Sequence, residues 1–139
     1  MDFTYFKSGA VGPLNGTLSR PQARRVLGGG FKEFKKTTAA LNTTDAFNLH
    51  HLHVYYDVND VVKGVEFFRG SKFTWKGHLL VGEESSKVLD LFRREGIHPA
   101  IDDDGFDVEK LGMSFYVPDI DEVEGAVIET LYINFRPEE

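Results

Sequence analysis

Asp45-Ala46-Phe47-Asn48-Leu49-His50-His51-Leu52-His53-Val54-Tyr55-Tyr56 and Asp104-Gly105-Phe106-Asp107-Val108-Glu109-Lys110-Leu111-Gly112-Met113-Ser114-Phe115-Tyr116 are the stretches whose reading decides the fold. In the first, Leu52, Val54 and Tyr56 alternate with His51, His53 and Tyr55. That is the two-residue period of a strand with one buried and one open face. In the second, Leu111, Met113 and Phe115 alternate in the same way. Each run follows an Asp-x-Phe and four intervening residues, with Asp45 and Asp104 lying 59 positions apart.

Working outward, Asp57-Val58-Asn59-Asp60 supplies turn chemistry, and Val61 to Phe68 returns as the second arm of a hairpin. Lys72 to Lys76, with Phe73 and Trp75, reads as a third strand. Beyond the second run, Pro118-Asp119 opens a turn, and 123–128 and 131–136 read as two more strands. Upstream, Ser19-Arg20-Pro21-Gln22 fits a capping box with proline in the first turn. Ala23, Val26 and Leu27 continue as a short helix that Gly28 stops. Glu83 and Glu84 open a second helix, Val88, Leu91 and Phe92 form its stripe, and Gly96 closes it. Residues 31–44 are polar and rich in Lys and Thr, with Phe31 and Phe34 as anchors, and read as a loop or a frayed helix.

The two passes match in order. Val26-Leu27 sits opposite Val88-Leu89, and Lys63-Gly64-Val65 aligns with Glu124-Gly125-Ala126 after a two-residue insertion. The expected fold is α+β within a single domain. Two pseudo-repeats of helix plus antiparallel β-meander, about 1–76 and 77–139, form one curved sheet of about six strands with the helices on one face.

Composition bounds the function. Twelve Phe, five Tyr and one Trp in 139 residues are more than a disordered chain would carry. There is no cysteine, which favours a reducing compartment. Met1 to Lys7 holds no basic segment followed by an apolar run, and no stretch approaches membrane-spanning length, so a cytoplasmic protein without membrane contact is expected. The net charge of −6 argues against a nucleic-acid partner. Its distribution is uneven: residues 1–69 carry nine Lys/Arg and six Asp/Glu, residues 70–139 seven and sixteen. An acidic half of this kind serves either as a solvated exterior that aids solubility or as a patch that steers a basic partner towards it.

The segment Gly12-Pro13-Leu14 through Leu18-Ser19-Arg20-Pro21-Gln22-Ala23-Arg24-Arg25-Val26-Leu27-Gly28, together with Asp45 to Asp57 and Val65-Glu66-Phe67-Phe68, resembles the helix-then-meander modules of the BamE and β-lactamase-inhibitory-protein kind. Bacterial toxin-immunity proteins include small repeats of this general type. The resemblance implies a scaffold that binds proteins. The chain lacks the cysteines of the periplasmic and secreted versions.

No nucleophile elbow is present, Gly28-Gly29-Gly30 follows a helix and so is no dinucleotide fingerprint, and Asp102-Asp103-Asp104 lacks the spacing and flanks of an EF-hand. A histidine-based metal enzyme, its site on His51 and His53 with Glu66 from the paired strand, is one alternative. The stronger expectation is a partner-binding sheet face carrying His51, His53, Tyr55, Glu66, Phe68, Tyr116, Tyr132 and Arg136, with Asp102, Asp103 and Asp104 beside it. Tyr, Phe and Arg in that company have the composition of an interface hot spot. The sequence therefore points to a non-enzymatic binding protein without a cofactor, an immunity protein that occludes a basic toxin domain. A small-ligand module, or a homodimer in which a second copy covers the same face, remains open.

Overall fold

The computed structural model describes residues 1–136. In chain order the strands are β1 (Phe3–Lys7), β2 (Ala10–Val11), β3 (Leu14–Asn15), β4 (Lys32–Phe34), β5 (Thr44–Phe47), β6 (Leu52–Tyr56), β7 (Val62–Phe68), β8 (Phe73–Trp75), β9 (His78–Leu79), β10 (Ala100–Asp102), β11 (Gly105–Val108), β12 (Met113–Tyr116) and β13 (Thr130–Asn134). The helices are α1 (Arg20–Leu27) and α2 (Ser85–Arg94), and the fold class is α+β.

Helix α1 starts where its cap dictates. The Gln22 amide donates to Ser19 Oγ at 3.3 Å, and the Ser19 amide donates back to Gln22 Oε1 at 2.9 Å. Ala23 and Leu27, four residues apart, are its buried stripe. Helix α2 buries Val88, Leu89 and Phe92.

The single expected sheet is in fact two. Eight strands pair in the order β10-β11-β12-β13-β7-β6-β5-β4, and five more form β3-β2-β1-β8-β9. The segment Lys72–Lys76 does not extend the meander: β8 runs parallel to β1, with Phe3 opposite Phe73. Rings of Phe3 and Phe73 lie 5.5 and 5.0 Å from Phe67, so this small sheet covers the inner side of the large one. Residues 31–44 are not all loop, since β4 forms an edge strand there. Residues 123–128 are not a strand; they turn, and only Val127 bridges, to Glu84.

The inner face of the large sheet is apolar. Leu52, Val54, Tyr56, Val65, Phe67, Met113, Phe115, Leu131 and Ile133 are buried, as the alternation requires, whereas Leu111 sits half-buried in a turn. Phe92 of α2 packs against Trp75 and Phe115. Burying each such ring contributes about 1.5–3 kcal/mol.

The residue match expected between the halves does not follow the backbone pairing. A one-turn 3-10 helix follows β5 (Asn48–His50) and another follows β11 (Glu109–Leu111). Each ends in a left-handed residue, His51 (φ 55°) and Gly112 (φ 70°), which lie 61 positions apart, not 59. At that spacing Thr44 corresponds to Gly105, and Asp45 to Phe106. The strand equivalent to β7 by pairing is β13, so Glu124-Gly125-Ala126 has no counterpart in Lys63-Gly64-Val65. Ser19 and Glu84 both bridge, to Val61 and Val127, and this sets Leu27 against Phe92 and not Leu89.

One polar cluster is buried. Asp45 is fully enclosed and accepts from Arg20 Nη1 at 3.2 Å, from Arg24 Nε and Nη2 at 2.8 Å each, and from Tyr56 Oη at 2.9 Å. Arg20, itself buried, also donates to Asp60, Asn42 and the Thr43 carbonyl, and its guanidinium lies 4.0 Å from the Tyr56 ring centre. The cluster ties α1 to the large sheet.

Candidate protein-binding face

Pairing fixes which side chains share the outer face of the large sheet. One cross-strand row runs Ala46, His53, Glu66, Tyr132, Ser114, Asp107. The adjacent rows are Thr44, Tyr55, Gly64, Asn134 on one side and Phe68, Thr130, Tyr116, Gly105 on the other. Antiparallel neighbours in such rows lie within side-chain contact. Glu66 and Tyr132 form the middle pair, where β7 meets β13.

The half of this face built on β4–β7 is covered by the chain itself. Phe34 and Phe68 flank the His53 imidazole at 5.2 and 4.5 Å, and burial among them holds its pKa below the ordinary 6.5. The connection at 35–43 brings Lys36 over Tyr55. Its ammonium lies 4.8 Å from the ring centre, donates to Tyr55 Oη at 3.1 Å and stands 4.0 Å from Glu66. The Tyr55 hydroxyl in turn donates to Glu66 Oε1 at 2.6 Å. Tyr132 lies over Gly64 and meets Tyr55 edge-on at 5.7 Å.

The half built on β10–β13 is open. A groove of ≈ 510 Å³ is lined by Glu66, Phe68, Asp102, Asp104, Asp107, Ser114, Tyr116, Thr130 and Tyr132, with no Lys or Arg among its lining residues. Tyr116 is 47% exposed. A hydrogen bond with Asp102 and the like charges of Asp102 and Asp103 raise the Asp104 carboxyl above its ordinary value. The groove is therefore a concentration of negative charge beside aromatic rings.

Of the side chains expected on this face, His53, Tyr55, Glu66, Phe68, Tyr116 and Tyr132 are assembled there, and Asp102 and Asp104 form the far wall. Asp103 is at the exposed tip of the turn and does not line the groove. His51 is not part of the strand. Its left-handed backbone places the ring against Gly70, at the end of the sheet. Arg136 lies past the end of β13 and is occupied elsewhere, paired with Asp57 and donating to the Gly16 carbonyl at 3.2 Å. Among the described residues, His51, His53 and Glu66 do not converge as metal ligands; the one grouping of three is the exposed Asp102, Asp103 and Asp104. Phe34, Lys36 and Asp107 were not expected. Asp107 could have been found from the register of the hairpin, but nothing in residues 31–44 marks Lys36 as crossing the sheet.

Burial, then the hydrogen bond and charge of Glu66, push the Tyr55 phenol above its ordinary 10.0, and burial followed by Glu66 does the same to Tyr132. The folded chain holds these protons more tightly than the unfolded one. Their contribution to stability is thus intact below about pH 10 and is lost as pH rises through the folded-state values. Urea midpoints compared at about pH 9 and about pH 11 should fall less for Tyr55→Phe than for the parent chain. Equal losses would mean that the phenol is not linked to folding.

Among the described residues no helix is long and apolar enough to cross a membrane. No protein-family model, curated protein or solved structure matches this chain.

Proposed function

We propose that the protein is a non-enzymatic binding module, an immunity protein of bacterial cytoplasm that neutralises a basic toxin domain by covering it. The observation that carries this reading is the open half of the sheet face, where Asp102, Asp104 and Asp107 meet aromatic rings with no Lys or Arg among the described lining residues, and where only Glu66, at the inner edge, has a cation (Lys36) within 4.0 Å. Aromatic rings supply area at low entropic cost, and clustered charge speeds encounter with an opposite surface. An unbalanced acidic groove in a chain of net charge −6 favours a basic protein over a nucleic acid.

The scaffold is read as two helix-plus-meander units in tandem, of the kind that the sequence resembles. Support for this lies in the pairing order, which is the same outward from the β7–β13 join in either direction: β7-β6-β5-β4 and β13-β12-β11-β10.

The test is co-expression with the product of the adjoining gene. An immunity protein restores growth to cells making that product, and Asp107→Lys, which sets a cation among the groove's carboxylates at an exposed position, loses the rescue while the purified variant stays folded by circular dichroism. A harmless neighbouring product, or rescue undiminished by Asp107→Lys, would remove the reading.

A further inference from the structure

The two halves of the outer face differ in one respect that identifies what the open half is shaped to take. In the row Thr44, Tyr55, Gly64, Asn134, the tyrosine occupies the place that Tyr116 occupies in the row Gly105, Tyr116, Thr130, Phe68. Over Tyr55 sits the chain's own Lys36, delivered by the long connection at 35–43 between β4 and β5. Between β10 and β11 the corresponding connection is only Asp103 and Asp104. That turn is too short to reach back over the sheet, so Tyr116 has no such cover.

We infer that the groove over Tyr116 receives a lysine or arginine side chain of the protein partner, seated as Lys36 is seated over Tyr55. The inference rests on the binding-face reading above and names the chemistry of the contact. Lys36 shows what the position accepts: a cation over a tyrosine ring, within reach of a phenol oxygen and the Glu66 carboxylate. The open groove repeats those elements with stronger charge. Tyr116 supplies the ring, Tyr132 a phenol, and Glu66, Asp107, Asp104 and Asp102 the carboxylates. A cation held between a ring face and carboxylates gains from both, and arginine gains most because its planar fork can stack and pair at once. The charge of the groove fits one sign of occupant only.

The probe is the peptide acetyl-Gly-Arg-Gly-amide, with the same peptide carrying citrulline as a neutral isostere, each titrated into the isotopically labelled protein at low salt. The arginine peptide is expected to shift the amide resonances of Tyr116, Thr130 and Tyr132 with millimolar affinity, and the citrulline peptide at least fivefold more weakly. Asp107→Asn and Tyr116→Ala should each weaken the arginine peptide severalfold. Lys36→Ala provides the internal check, because vacating the seat over Tyr55 should create a second site, read as new shifts at Tyr55 and Gly64. Equal binding of the citrulline peptide, shifts confined to the acidic turn, or no second site in Lys36→Ala would each overturn the inference. None of those outcomes touches the growth rescue, which stands or falls on the neighbouring gene product. A failed rescue likewise leaves the peptide result in place.

Discussion

Replacing Asp45 by alanine is expected to destabilise the fold by about 3–5 kcal/mol, a large share of what a domain of this size has to lose. The carboxylate is fully buried, and three of its neighbours depend on it: Arg20, whose side chain is 7% exposed, Arg24 and Tyr56. Removing it does not simply delete an ion pair. It strands the Arg20 guanidinium in a place where water cannot reach it, and Asp60 at the edge of the cluster compensates only in part. The other half of the molecule supports this account. Under the proposed tandem reading, Asp45 corresponds to Phe106, Arg20 to Ser85, Arg24 to Leu89 and Tyr56 to Val117. There the space is filled by Phe106 stacked on Phe115 at 4.5 Å, with Phe92 behind. On that reading one scaffold closes the same helix–sheet junction once with charge and once with rings, and exchanging a complete buried ion cluster for well-packed apolar residues is often close to neutral. Exchanging all four residues for their counterparts should therefore recover most of the loss caused by Asp45→Ala alone. Urea unfolding of the three proteins measures it, and a four-residue exchange as unstable as the single change would show that the halves do not pack alike.

Which parts of this were legible from residues alone follows a physical rule: local periodicity was readable, and long-range pairing was not. Leu52-His53-Val54-Tyr55-Tyr56 announces a strand because burial on one side leaves a period-two trace, and Ser19 with Gln22 announces a helix start because both capping bonds lie within one turn. The parallel pairing of β1 with β8 leaves no such trace. Two strands of five and three residues, separated by most of one half of the chain, meet only because Phe67 offers a surface for Phe3 and Phe73 together. The offset between halves was misplaced for a related reason. Asp45 and Asp104 look equivalent by side chain, yet one is a buried partner of arginine and the other an exposed turn residue. The left-handed turn residues His51 and Gly112 hold like places after β5 and β11, and they share no chemistry that a sequence reading would pair. At the site, alternation placed His53, Tyr55, Glu66, Phe68, Tyr116 and Tyr132 on one face. It could not reveal that Lys36 closes half of that face, because a strap's path is set by where its two ends are anchored.

Two glycines on the large sheet present nearly the same clash on paper, and alanine at each should give opposite outcomes. A Cβ added at Gly105 would lie 1.9 Å from the Phe115 carbonyl oxygen, and the residue's φ of +156° is itself foreign to other amino acids. That oxygen belongs to the neighbouring strand and cannot retreat without breaking the β11–β12 ladder. Gly105→Ala should cost about 3 kcal/mol and detach the β10–β11 hairpin, seen as rapid hydrogen exchange at Phe106 and Val108. At Gly64 the added Cβ would lie 2.0 Å from Tyr132 Oη, but this is the far end of a side chain that can rotate away. The change forfeits the edge contact with Tyr55, worth about 0.5–1.5 kcal/mol, and regains part of it by stiffening the unfolded chain. Gly64→Ala should therefore leave stability within about 1 kcal/mol of the parent while driving Tyr132 off its seat and into the groove beside Tyr116. The first substitution should abolish the proposed binding, because it removes a wall of the groove along with the fold of its edge. The second should abolish it in a protein that remains folded, because the groove is then filled by the chain's own ring. If Gly64→Ala bound a basic partner as well as the parent does, Tyr132 would have no part in the contact, and the middle of the sheet face would have to be excluded from the site.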